Sequence, residues 1–245
     1  MYFEDILINY WILVGLLAFF VLLFIPAPYG KFTDISSKFL IPSRIGWILM
    51  EIPASLISII FVFINFQSLN LIQIFLFFLW NLHYLHRSLI WPLRARISNK
   101  KMHISIALLA FLFNIVNATL QSYWIIFIGS YEEINLVFYL GLLIFFMGMF
   151  INIKSDNILI NLRTADEDYS IPTGFLFNKI TSPNYFGETI EWLGWALLTF
   201  NFAGFVFFIW TLFNLLPRAI STHKWYLSEF KDYPKNRKIF IPYIF

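Results

Sequence analysis

Residues 6–25 read Ile6-Leu7-Ile8-Asn9-Tyr10-Trp11-Ile12-Leu13-Val14-Gly15-Leu16-Leu17-Ala18-Phe19-Phe20-Val21-Leu22-Leu23-Phe24-Ile25, an apolar run without a charge. About 20 mostly apolar residues, rising about 1.5 Å each as a helix, cross the hydrocarbon core of a bilayer. The run follows Glu4 and Asp5 rather than a basic segment. It ends at Pro26-Ala27-Pro28, with no small-residue cleavage site directly after it. It reads as a retained helix rather than a signal peptide. Its Leu, Ile and Phe come consecutively and do not alternate with polar residues, so it does not read as a barrel strand.

Six more runs of this kind follow, at about 45–66, 69–90, 104–129, 134–153, 184–200 and 202–218. The last two are separated only weakly, by Asn201 and Gly204, so one long bent helix is the competing reading there. The 245 residues are 60% hydrophobic and 13% charged, whereas a soluble domain carries about 25% charged residues. A soluble chain of this length cannot bury so much apolar surface, so the bilayer must solvate most of it. The fold class expected is all-α, a polytopic integral membrane protein of seven transmembrane helices forming one membrane domain over 1–245.

The bases orient it. With the N-terminus outside and seven spans, all 17 Lys and Arg residues fall on the inner side. They lie in the loops 26–44, 91–103 and 154–183, in the tail 219–245 and at the adjoining helix ends. Only Glu4, Asp5, Glu132 and Glu133 are outside. This is the positive-inside pattern, with a cytoplasmic C-terminus. The long inner loops mix charges with Phe175, Phe177, Trp225 and Tyr226, and are expected to be an ordered cytoplasmic cap. The bases are scattered through several loops rather than clustered, which excludes a nucleic-acid patch. There is no Cys, hence no disulfide, thiolate metal site or Cys nucleophile. No Rossmann glycine fingerprint, P-loop or H-E-x-x-H motif occurs.

Ionisable residues inside spans cost several kcal/mol and mark interior faces or cavities. Glu51 lies seven residues inward from Arg44, about 10 Å deep. Tyr84 lies seven residues before Trp91 on a helix running the other way, and so at a similar depth. Glu51 has no partner nearby in the sequence, which favours a functional role, and Pro53 is expected to kink its helix. Glu188 and Glu191 share a helix face; the bland reading of one of them is a helix N-terminal acid. Asn152 and Asp156 stand one turn apart. Asn114, Asn117 and Gln121 form a stripe better read as interhelical hydrogen bonding than as a ligand site. The bland reading of His86 and Arg87 is snorkelling. One polar chamber open to the cytoplasm would gather these groups.

The stretch Ser182-Pro183-Asn184-Tyr185-Phe186-Gly187-Glu188-Thr189-Ile190-Glu191-Trp192 resembles the N-[YF]-x-G-E-x-x-E-W motif of the steroid 5α-reductases. The tail resembles that family's C-terminus, in Tyr226-Leu227, Phe230, Asp232-Tyr233-Pro234-Lys235-Asn236-Arg237-Lys238 and Ile241-Pro242-Tyr243-Ile244-Phe245. Glu51-Ile52-Pro53, His83-Tyr84-Leu85-His86-Arg87 and Asn152-Ile153-Lys154-Ser155-Asp156 match in the same order, from about residue 47 to the end.

The resemblance implies NADPH-dependent reduction of the C4–C5 double bond of 4-ene-3-keto steroids to 5α-steroids, within a seven-helix membrane fold. It implies that Glu51 and Tyr84 are the catalytic pair on the substrate ketone, with Trp47 in the same pocket. It also implies that Asn152, Asp156, Arg163, Tyr169, Asn184, Glu188, Arg218 and Tyr226 contact the cofactor. The expected partners are a lipophilic steroid entering from the bilayer and membrane lipid. A monomer without metal or nucleic acid is expected, in a bacterial inner membrane or the endoplasmic reticulum. Two departures stand out. Ser221-Thr222-His223 replaces a histidine run, so a cofactor contact is lost. Ser170 follows Tyr169 where a base often stands, which weakens phosphate binding. The alternatives are a reductase of another lipid (an enoyl-CoA or a polyprenol), a membrane methyltransferase using S-adenosylmethionine, and a non-enzymatic transporter or lipid-binding protein.

Overall fold

Each apolar run folds as a helix. The computed structural model describes residues 3–162 and 169–245. Its long helices are α1 (Phe3–Phe24), α2 (Ser43–Asn65), α3 (Leu71–Leu85), α5 (Ile104–Tyr123), α6 (Leu136–Leu162), α7 (Pro183–Thr199) and α8 (Phe202–Glu229), with α4 (Trp91–Arg94) a single turn after α3. Among the described residues five helical stretches are long and apolar enough to cross a membrane: Leu7–Phe24, Ser43–Ser68, Ile104–Ile128, Leu136–Leu162 and Phe202–Glu229. α3, with 15 residues before a change of helix type, and α7, with 17, fall below that length. The chain is a mostly helical membrane protein.

Several expected boundaries are corrected. α6 runs to Leu162, so 154–162 is helix rather than loop, and α8 runs to Glu229, so the tail begins eleven residues later than 218 suggests (229 − 218). Hydropathy falls where side chains turn polar, but backbone i→i−4 bonding continues through Asn, Lys, Ser and Asp on a solvated face. The helices α7 and α8 are separate, broken at Phe200, whose φ of 41° leaves the helical region. The connections leading into α2 and α5 also hold an unforeseen antiparallel ribbon, β1 (Leu40–Pro42) with β2 (Lys101–His103), in the register Leu40↔His103 and Pro42↔Lys101.

The chain divides into two compact units. One, 27–136 with 199–203, holds α2 to α5 and the ribbon. α3 starts in a capping box between Asn70 and Gln73. Both side chains also donate onward, Asn70 Nδ2 to the Tyr131 carbonyl at 3.0 Å and Gln73 Nε2 to the Ile125 carbonyl at 2.8 Å. Deeper along α3, the Trp80 indole donates to the Ala54 carbonyl at 3.0 Å, and Asn81 Nδ2 to the Ser58 hydroxyl at 2.9 Å. In lipid such bonds substitute for water, since helices there gain little from apolar contact. α3 continues through a π-helical turn, His86–Ile90, into α4. Pro92, which has no N–H to donate backwards, stands just after this turn. In that turn Arg87 is buried, its guanidinium 5.3 Å from the Trp47 ring and 5.1 Å from the Trp91 ring. This replaces the snorkelling reading with a stacked cation.

The other unit, 1–26, 137–198 and 204–245, holds α1, α6, α7 and most of α8. α6 and α7 touch backbone to backbone. A Cβ on Gly187 would come within 2.5 Å of the Asn152 nitrogen, and one on Gly148 would collide with the Glu191 backbone. Gly141 and Gly194 repeat the arrangement two turns away. Small residues allow such approach where packing alone drives association. α1 lies on α8, where the Trp210 indole donates to the Trp11 carbonyl at 2.9 Å. After α8 the chain turns back, and Ile180 bridges Lys238 in parallel. Phe240 is buried with Leu215 and Ala219.

Candidate active site

The first cluster sits on α2, α3 and α5. Trp80 meets Ala54, and Arg87 meets Trp47. These two contacts fix the antiparallel register of the helix pair. Tyr84, which lies between Trp80 and Arg87, is therefore level with Glu51, which lies between Ala54 and Trp47. The two contacts thus set positions 51 and 84 opposite each other along the helix pair. Tyr84 is buried, its ring 4.6 Å from Trp80 and 5.0 Å from His83. Glu51 is half-buried. Its partner comes from distant sequence: Asn114 on α5 donates through Nδ2 to Glu51 Oε2 at 3.3 Å and to the Met50 carbonyl at 2.7 Å. The carboxylate that lacks a neighbour in sequence thus has one in space. Trp47 packs on Trp91, ring centroids 4.7 Å apart, and on Tyr29.

Of the rest of the Asn/Gln stripe, Gln121 makes the expected interhelical bond, while the buried Asn117 Nδ2 has no hydrogen-bond partner among the described residues. Gln121 Nε2 donates to the Ala203 carbonyl at 2.8 Å. At the far end of this unit the Tyr131 hydroxyl donates to the Thr199 carbonyl at 3.0 Å and accepts from Asn201 Nδ2 at 2.9 Å. Burial pushes this phenol up to about 12, against the lowering effect of Asn201, so it stays protonated at neutral pH.

The second cluster sits on α6, α7 and α8. The Gly148–Gly187 contact sets the spacing of the side chains beside it. Asn152 Nδ2 donates to the Asn184 carbonyl at 3.0 Å and to Glu188 Oε2 at 3.3 Å. Asn184 Nδ2 donates to Asp156 Oδ1 at 3.1 Å. Four of the expected cofactor residues are thereby joined in one network, in which Asn152 and Asp156 are buried. Glu191, fully buried, follows one turn later. On α8 the Arg218 guanidinium lies 5.3 Å from the Tyr185 ring and donates through Nη1 to Asn214 Oδ1 at 3.2 Å. Tyr226 stacks on Tyr233, at 5.2 Å and 12°, and Tyr169 meets Trp225 edge-on at 5.2 Å. Arg163 lies outside the described residues.

Sequence reasoning missed a hub in this unit. The Thr181 hydroxyl is 2.6 Å from His223 Nδ1 and 2.7 Å from the Tyr233 hydroxyl. The buried Arg237 guanidinium lies 4.9 Å from the Tyr233 ring and donates to the Pro172 carbonyl at 3.2 Å. His223, the last residue of the departing Ser-Thr-His triplet, therefore bonds to Thr181. Nothing local in the sequence signals the pairing of residues so far apart.

Carboxylates and side-chain amides joined on buried helix faces define a class, that of multi-helix membrane proteins with polar clusters between their helices. The comparisons with known proteins narrow it. Residues 100–245 match the family model for 3-oxo-5-alpha-steroid 4-dehydrogenase. Steroid 5-alpha-reductase DET2 of Solanum lycopersicum is 42% identical over 246 residues, covering 97% of this chain and 96% of its own length. 3-oxo-5-alpha-steroid 4-dehydrogenase 2 of Mus musculus is 39% identical over 231 residues, covering 90% and 89%. 3-oxo-5-alpha-steroid 4-dehydrogenase 1 of Bos taurus is 36% identical over 244 residues, covering 94% and 93%. The chain belongs to the steroid 5-alpha-reductase family, a family of oxidoreductases. The methyltransferase and non-enzymatic readings fall away.

Proposed function

We propose that this protein reduces the C4–C5 double bond of 4-ene-3-keto steroids to 5α-steroids with NADPH, and that Glu51 and Tyr84 polarise the ketone. The observation that carries the reading is the register of α2 against α3, which sets positions 51 and 84 level, in a chain of this family. Addition of hydride at C5 drives electron density through the enone onto the C3 oxygen. A fixed donor at that oxygen stabilises the resulting enolate, most strongly where water is excluded. The buried Tyr84 hydroxyl is that donor, supported by Glu51. C4 then takes a proton from solvent or from this pair.

The donor set of the second unit fits a nicotinamide dinucleotide. Its carboxylates and amides suit ribose hydroxyls and a carboxamide, and guanidinium suits phosphate. Asn152, Asp156, Asn184 and Glu188 would hold the polar groups of the sugar and ring. Arg218 and Arg163 would hold phosphate, with Tyr169 and Tyr226 beside them. The bound reduced nicotinamide supplies the hydride. The chain's own contribution is to orient it and keep water out. The topology that goes with this reading has seven spans, the N-terminus outside, and the bases on the cytoplasmic side. The chain acts as a monomer in the endoplasmic reticulum or a bacterial inner membrane, and its steroid arrives through the lipid.

The test is turnover of progesterone by purified protein in detergent, with NADPH carrying deuterium at the transferring position. A 5α-reduced product with deuterium at C5 is expected. Tight NADPH binding with reduction of an enoyl-CoA or a polyprenol, but of no steroid, would reassign the substrate. Absence of NADPH binding would overturn the cofactor reading.

A further inference from the structure

Asn114 is buried to 4% exposure, and its amide is used one-sidedly. Both neighbours of Nδ2, the Met50 carbonyl at 2.7 Å and Glu51 Oε2 at 3.3 Å, are acceptors that only the NH2 end can satisfy. This fixes the orientation of the amide. Its Oδ1, in turn, is buried and has no hydrogen-bond partner among the described residues. An orphaned buried acceptor is unfavourable, and native structures retain few of them. A simple interhelical tie would not need that sacrifice, since the short bond to Met50 already joins α5 to α2. What the orientation adds is the second hydrogen, delivered to one oxygen of the carboxyl that the ketone reading needs.

We propose that Asn114 is a positioning residue for Glu51: its amide holds Oε2 as an acceptor and leaves Oε1 as the oxygen that faces the Tyr84 and ketone side. The inference rests on the ketone role proposed for Glu51 above. The chemistry follows from the inventory of donors. The carbonyl oxygen of a carboxyl is the better acceptor, so an N–H bond held on Oε2 favours Oε1 as the site of any proton on Glu51. Oε1 can then donate to the ketone or to Tyr84. The anchor is backbone: the Met50 carbonyl precedes Glu51 directly, so amide and carboxyl are held to the same turn of α2. The carboxyl consequently loses rotamer freedom before substrate arrives, which is where preorganisation acts.

The experiment is a double-mutant cycle on the full-length protein in detergent. Asn114→Leu removes both hydrogen bonds at similar volume, and Glu51→Leu removes the carboxyl. Equilibrium binding of tritiated progesterone is measured in all four forms, which does not require activity. Asn114→Leu should weaken binding about tenfold in the native background and by less than about twofold beside Glu51→Leu, because residues that act as a unit are non-additive. The kcat of Asn114→Leu should fall while its KM for NADPH stays put. The same weakening in both backgrounds, or none in either, overturns the proposal. If Glu51→Leu itself binds and turns over progesterone as the native protein does, the ketone assignment is what fails. Thermal unfolding checks each form. Should Asn114→Leu not fold, Asn114→Ala takes its place in the cycle: background-dependent weakening supports the proposal, and equal weakening or none overturns it.

Discussion

Gly148 and Glu191 meet so closely, backbone to backbone, that no Cβ fits between them. The hydrogen-bond network of Asn152, Asn184 and Glu188, to which we assign the cofactor, lies beside this approach of α6 to α7. Gly148→Ala must push the helices apart or bend them. Overpacking of this kind costs about 1–3 kcal/mol. We expect a lower thermal midpoint for the purified protein and weaker NADPH binding in a fluorescence titration. Unchanged values for both would mean that the helix spacing does not position the network.

Asn184 links the start of α7 to Asp156 on α6 at 3.1 Å. Asn184→Leu leaves the buried Asp156 carboxyl short of a donor, and hydrogen bonds to charged groups are worth about 1.5–3 kcal/mol. The KM for NADPH should rise about tenfold or more, while binding of progesterone, read separately, stays near native. A change confined to steroid binding would contradict the division of labour between the two clusters.

Arg87 is held between two indole rings, at 5.3 Å and 5.1 Å. Arg87→Lys keeps the charge but loses the planar stack. A desolvated cation–π contact is worth about 2 kcal/mol, so the thermal midpoint should fall. Circular dichroism melting in detergent checks this, and an unchanged midpoint would show the stack to be incidental.

Tyr131 provides a pH-dependent test. Its folded phenol is raised to about 12 by burial; in the unfolded chain it titrates near 10. A folded value above the unfolded one gives stability that is fully present below about pH 10 and lost as pH rises towards 12. Tyr131→Phe removes the bonds to Thr199 and Asn201, at about 1–2 kcal/mol below pH 10. The native protein's advantage over the variant should shrink between pH 10 and pH 12. A constant gap across that window would contradict the burial of this hydroxyl.

What sequence made legible followed from properties that act locally. Runs of Leu, Ile and Phe located every long helix, because lipid demands about 20 apolar residues whatever the neighbours are. Equal spacing from Arg44 and Trp91 pointed to Glu51 and Tyr84 as facing positions on α2 and α3, because helical rise is constant, and the register of the two helices agrees. Helix ends were less legible. α6 and α8 continue past the apolar stretch on polar side chains such as Asn157 and Lys224, to which hydropathy is blind. Pairings across long separations were not legible at all. Asn114 reaches Glu51 across 63 positions and Thr181 reaches His223 across 42, and a single sequence carries no signal for either. The stacking of Arg87 was hidden for the same reason, since Trp47 lies on another helix.

Tyr84 and Glu51 are the pair to which we assign activation of the ketone. The deciding measurement is turnover of progesterone with saturating NADPH in Tyr84→Phe and Glu51→Leu, each shown to be folded by its melting curve. Removal of a donor at a developing oxyanion costs about 100-fold to 1,000-fold in kcat. A loss of that size in both variants, with NADPH binding intact, is the result predicted. Native turnover with the normal 5α product in either variant would contradict the role given to that residue.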